Sequence, residues 1–129
     1  MRLLLDTHVA IWALVSPEVM PDAIRALIAD PANSVHVSAA SVWEIAIKHS
    51  MARRGAPPFS GRQAIEYFGQ AGYALLPVSP EHAAGVEALP SLHADPFDRL
   101  LVAQALAEPF RLITHDPMVA AYGGSVIHF

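Results

Sequence analysis

Twelve carboxylates are spread along the 129-residue chain, and five of them fall where shared charge would matter. Asp6 directly follows the apolar run Arg2 to Leu5, and Asp116 comes just after Arg111 to Thr114. Glu44 stands early in the helical stretch that follows Val35 to Ser38, while Asp95 and Asp98 open a later one. If the apolar runs are parallel strands, these acids lie along the edge formed by the strand carboxyl ends. Open α/β sheets build their sites at that edge. Like charges so close stay ionised only when compensated. Mg²⁺ or Mn²⁺ is the usual remedy, because hard cations take carboxylate oxygens.

Each acid also has a structural explanation when taken alone. Asp6 and Asp95 suit helix N-caps, and Asp98 sits early in its helix, where the dipole favours an acid. Asp116 before Pro117 suits a turn or a cap. Ser41 and Glu44 have the spacing of a capping box, and Glu44 precedes Lys48 by one helical turn, which suits an ion pair. The joint placement, rather than any one residue, points to a metal site.

Other catalytic templates are missing. No HExxH, GxGxxG, phosphate-binding P-loop or GxSxG elbow occurs. The chain has no cysteine, which excludes disulfides, zinc ribbons and thiol nucleophiles. Its seven histidines have no paired ligand spacing; His8 and His115, each near a candidate acid, are expected to serve local packing or hydrogen bonding. Trp12 and Trp43 are expected in the core.

The elements that must position the acids follow from patterning. Arg2 to Leu5, Val35 to Ser38, Tyr73 to Val78, Arg111 to Thr114 and Ser125 to Phe129 read as five strands. Val9 to Val15 is apolar on every side and reads as a buried helix stopped by Ser16-Pro17. Asp22 to Ala29 has helical spacing, and a helix opened by Ser41 runs through Ser50. Further helices follow Ser60 to about Ala71, Ser79-Pro80 to about Leu89, and Asp95-Pro96 to Ala107. The last is expected to bury Phe97, Leu100, Leu101 and Ala105. Alternating strands and helices imply an α/β three-layer sandwich around a parallel five-stranded sheet.

Composition narrows the class. Hydrophobic residues make up 53% and charged residues 16%, against an ordinary charged share of about 25%. Such a chain buries enough apolar surface to fold, and its length suits one domain over residues 1–129. No apolar run approaches the roughly 20 residues of a membrane span, and the first residues lack a signal-peptide pattern, so a cytoplasmic protein is expected. A net charge of −4 excludes binding of nucleic acid by bulk basic charge. The scarcity of charge also points to apolar surface that a partner covers.

Four segments together resemble the PIN-domain family, and within it the VapC-type toxins of bacterial toxin–antitoxin pairs: Leu3 to His8, Ser38 to Ile45, Asp95 to Ala105 and Leu112 to Asp116. Asp95-Pro96-Phe97-Asp98-Arg99 is the most specific piece, and the resemblance spans essentially the whole chain. It implies a parallel five-stranded three-layer fold and a metal-dependent ribonuclease. Its four acids would be Asp6, Glu44, Asp98 and Asp116, as ligands of Mg²⁺ or Mn²⁺, with Asp95 a further candidate. Thr7 and Thr114 match polar positions that bond a carboxylate or a metal-bound water. Arg99 would contact phosphate or orient carboxylates through a bidentate pair. A homodimer and a cognate antitoxin are the implied partners.

An acidic ring attracts RNA poorly, so phosphate contacts are expected from Lys48, Arg53, Arg54 and Arg62. Three other classes fit less well. A receiver-type signalling domain needs a phosphoacceptor Asp after strand three, where Pro77-Val78-Ser79-Pro80 stands, and a late lysine, whereas the one lysine is Lys48. A non-catalytic PIN-like interaction module would retain the fold without needing the acids. A haloacid-dehalogenase-type phosphatase needs a second acid where His8 stands.

Overall fold

The computed structural model describes residues 1–129. Five strands form one parallel sheet: β1 (Arg2–Leu5), β2 (Ser34–Ser38), β3 (Ala74–Leu76), β4 (Arg111–Thr114) and β5 (Val126–His128), in the order β3-β2-β1-β4-β5. The helices are α1 (Thr7–Val15), α2 (Asp22–Ala29), α3 (Ala39–Met51), α4 (Gly61–Gln70), α5 (Pro80–Gly85), α6 (Pro96–Ala107) and α7 (Pro117–Ala120). Two short 3-10 turns, Pro17–Val19 and Val86–Ala88, were not expected from the pattern.

The sheet is central because its strands are apolar on both faces. Leu3 and Leu5 of β1 join Val35, Val37 and Ile113 in a core layer covered by α1 to α4. Leu4, between them, points the opposite way and packs with Leu112, Leu76 and the α6 residues Leu101, Val102 and Ala105. Side chains alternate across a strand, so three leucines in a row serve two cores. β1 is flanked by β2 and β4, and the strand order reverses beside it. The crevice outside β1 and β4 is therefore the switch point at which such sheets bind ligands.

Three expectations need correction. α3 starts at Ala39 with Ser38, not Ser41, as its N-cap. Ser41 and Glu44 therefore lie inside the helix and form no capping box, and with Ala40 and Ile45 they make its buried face. This phase turns Trp43 outward, 59% exposed, where it meets Phe97 of α6 edge-on at 5.1 Å. α1 is not buried all round: Val9 and Ala10 are, Ile11 to Leu14 are half-buried, and Val15 is exposed. Along α6, Phe97 and Leu100 are only half-buried, unlike Leu101 and Ala105.

α3 and α4 pack closely at Gly61, where a Cβ would lie 2.7 Å from the Ala46 Cβ. That glycine lets α4 follow α3 after the loop that carries Arg53 and Arg54. The loop starts at Ala52, which ends α3 in the left-handed region at φ 50.

Candidate active site

The crevice outside β1 and β4 is lined from four directions. Asp6, one residue past β1, caps α1 by accepting from the Val9 amide through Oδ1 (3.1 Å), and its Oδ2 accepts from the Thr114 hydroxyl at the end of β4. Burial pushes the Asp6 carboxyl above the ordinary range, against the pull of these two hydrogen bonds. Thr114 also accepts from the Asp116 amide at 3.0 Å, so one hydroxyl ties two candidate acids together.

Glu44 enters from α3 and is buried. The Thr7 hydroxyl donates to its Oε1 at 2.7 Å and lies 2.9 Å from the Ser41 hydroxyl, while Lys48 Nζ is 2.5 Å from Oε2. Burial opposes the charge on Lys48, but Glu44, Asp95 and Asp98 outweigh it and hold the ammonium above its usual range. Thr7 and Lys48 thus fix Glu44 in place within the site.

Asp95 caps α6, accepting through Oδ1 from the amides of Phe97 (2.8 Å) and Asp98 (3.2 Å). Asp98, one turn in, is pushed up to about 7 by burial first and then by the charges of Asp95, Asp6 and Glu44, with a His93 hydrogen bond opposing. Asp116 caps α7, accepting from the Met118 amide at 2.8 Å. For Asp116 the two explanations are compatible, since Oδ1 caps α7 while Oδ2 faces His93; both Asp6 oxygens are engaged, by the Val9 amide and the Thr114 hydroxyl.

His93 was missed by the sequence reading. Its Nε2 stands 2.8 Å from Asp98 Oδ2 and 3.2 Å from Asp116 Oδ2. These three side chains can offer atoms within 4.8 Å of one another for a metal ion. It lies in an irregular loop, so helical spacing gives no sign of it; its proximity to the Asp95–Asp98 segment is the one available signal.

A family model for the PIN domain matches residues 3–124. The chain belongs to the PIN-domain family. Three solved structures illustrate the likeness. VapBC2 from Rickettsia felis bound to a promoter DNA fragment has 16% identity and a TM-score of 0.69, covering 100% of this chain and 98% of that one. VapBC-5 from Mycobacterium tuberculosis has 21% and 0.63, with 98% and 96% covered. A toxin–antitoxin complex from Klebsiella pneumoniae has 19% and 0.62, with 97% and 95% covered. At such identities the likeness is one of fold. No curated protein matches the sequence. PIN domains are a nuclease family, and this PIN domain has the VapC-type architecture.

Arg99 makes no bidentate pair with a carboxylate. Its guanidinium turns away from the carboxylates and donates to the carbonyls of Val86 (3.1 Å) and Pro90 (3.1 Å) and to the Tyr122 hydroxyl (3.0 Å). It clamps the segment between α5 and α6. Lys48, Arg53 and Arg54 share a recess with Met51, Gly55 and Ala56 that adjoins Glu44. Arg62 is exposed on the first turn of α4, outside that recess. His8 and His115 take the packing roles expected of them: both ring systems lie against Trp12, and His115 stacks on Phe129.

Proposed function

We propose that this PIN domain, one domain over residues 1–129, is an endoribonuclease dependent on Mg²⁺ or Mn²⁺ and the toxin half of a toxin–antitoxin pair. The observation carrying this reading is the approach of Asp98 and Asp116 to one another at the switch point, with Asp6 and Glu44 near enough to help raise Asp98 to about 7. The donor chemistry fits a hard divalent cation: the oxygens are carboxylates, and their mutual repulsion is what a cation relieves. Asp6, Asp98, Glu44 and Asp116 would hold it. Asp95 spends one oxygen on two amides and adds to the negative field.

A bound divalent cation lowers the pKa of a water and offsets charge on the phosphate. The chain's own residues do the positioning. Thr114 fixes Asp6, and Thr7 with Lys48 fixes Glu44, so the carboxylates need little reorganisation on binding. The recess of Lys48, Arg53 and Arg54 beside Glu44 would take RNA phosphates, with Arg62 beyond it.

Chelation should abolish cleavage of RNA, and added Mg²⁺ or Mn²⁺ should restore it. Asp98→Asn should fold and be inactive. A folded Asp98→Asn that cleaves at the wild-type rate overturns the site, and a wild type inert with every divalent metal favours the non-catalytic module.

The partner reading rests on apolar surface. Leu14 and Val15 of α1 line a groove with Phe59 and with Tyr67 of α4, and VapBC complexes are among the structural relatives. An amphipathic antitoxin segment laid into such a groove, and a homodimer, would cover it. No helix is long and apolar enough to cross a membrane, in keeping with a cytoplasmic site of action. Light scattering should give a dimer, and expression without the antitoxin should arrest growth. A tolerated monomer overturns the toxin assignment.

A further inference from the structure

One donor in the crevice differs in kind from the rest. His93 offers a ring nitrogen, and its side chain is 15% exposed. Two carboxylate oxygens from separate helices converge on that one nitrogen, Asp98 Oδ2 at 2.8 Å and Asp116 Oδ2 at 3.2 Å. A single N–H satisfies one acceptor well and two poorly. Donor atoms in adjacent positions around a cation bound at about 2.1 Å are about 3 Å apart, and both spacings match that edge.

The loop that carries the ring is held firmly from behind. The His93 amide donates to the Tyr122 hydroxyl at 3.1 Å, and the same hydroxyl accepts from Arg99 Nη1 at 3.0 Å. Arg99 also holds the Pro90 and Val86 carbonyls on the approach to His93. A guanidinium next to Asp98 in sequence is thus spent on the backbone of the histidine loop. These bonds fix the backbone from which the ring projects into the crevice.

We propose that His93 Nε2 is a direct ligand of the divalent cation, together with Asp98 and Asp116. This inference rests on the metal-dependent reading of the same site and adds a nitrogen to its oxygen ligands. The consequence is selectivity. Mg²⁺ favours oxygen ligands and retains its waters, whereas first-row transition ions gain from imidazole. Mn²⁺ is therefore favoured over Mg²⁺ by more than carboxylates alone would give.

The test titrates Mn²⁺ into the metal-free protein, with paramagnetic resonance reading both binding and ligand type. Wild type should bind Mn²⁺ with the spin-echo modulation of directly coordinated nitrogen-14. His93→Gln should lose that modulation, and its preference for Mn²⁺ over Mg²⁺ in competition should fall. Bound Mn²⁺ without nitrogen coupling in wild type overturns the proposal, since His93 would then only hold the carboxylates from outside. Modulation that survives in His93→Gln overturns it too, by giving the role to another histidine. Absence of Mn²⁺ binding in wild type defeats the metal-dependent function itself, and this inference with it. The wild-type spectrum is decisive on its own, so the conclusion does not depend on how well the variant folds.

Discussion

Asp98→Asn should make the metal-free protein more stable at pH 8 while destroying its metal site. Asp98 is raised from 3.8 to about 7 by burial and by the charges of Asp95, Asp6 and Glu44. A shift of that size is worth about 4 kcal/mol between the two protonation states. The side chain is 19% exposed, so most of that cost survives solvent screening. Asparagine is still polar and buried, and it loses the favourable helix-dipole interaction of about 0.5–1 kcal/mol. The net gain expected at pH 8 is about 1–3 kcal/mol.

The pH dependence gives the refutation. Between about pH 4 and 7 the folded protein holds a proton on Asp98 that the unfolded chain has released. Wild-type stability from this group is therefore fully present below about pH 4 and lost as pH rises through 7. Urea unfolding in chelator should show the variant ahead at pH 8 and level with wild type near pH 5. Saturating Mn²⁺ should reverse the order at pH 8 by stabilising only the wild type. A variant no more stable than wild type at pH 8, or ahead by the same margin at pH 5, would refute the charge-repulsion argument.

Thr114→Val should cost about 1–3 kcal/mol, because it strips a hydrogen bond from buried Asp6 and leaves the Asp116 amide unpaired; chemical denaturation and metal titration should both show the loss. Arg99→Lys should cost about 1–3 kcal/mol, since an ammonium cannot span the Val86 and Pro90 carbonyls and Tyr122. The salt dependence of RNA binding should be unchanged in that variant, and a flatter slope would return Arg99 to phosphate contact. Ala52→Gly should stabilise by about 1 kcal/mol, because Ala52 closes α3 at a positive φ that glycine adopts freely; thermal unfolding measures it.

The parallel sheet was legible because its strands are short apolar runs, the first three ended by Asp6, Ser38 and Pro77. The places of Asp6 and Asp116 followed from the ends of β1 and β4, and those of Asp95 and Asp98 from the start of α6. β3 proved shorter than its run, since Pro77 has no amide to pair. Ser41 and Ser38 both suit an N-cap, and only packing against the sheet selects Ser38, so the phase of α3 and the outward turn of Trp43 were hidden. The direction of Arg99 was equally hidden, because its partners are backbone carbonyls, which look alike in every sequence. His93 lies in a loop, where no periodicity brings it next to Asp98 and Asp116.

The bond from Thr114 to Asp6 joins residues 108 positions apart. Strand β1 is made long before its neighbour β4. Until β4 follows, Asp6 has no Thr114, and Asp116 has not been made. A nascent chain thus carries no assembled crevice until β4 and Asp116 have been made. Whatever chemistry the crevice performs cannot begin before β4 has paired with β1. Fragments ending before β4 should be inert for the same reason, whatever else they fold into.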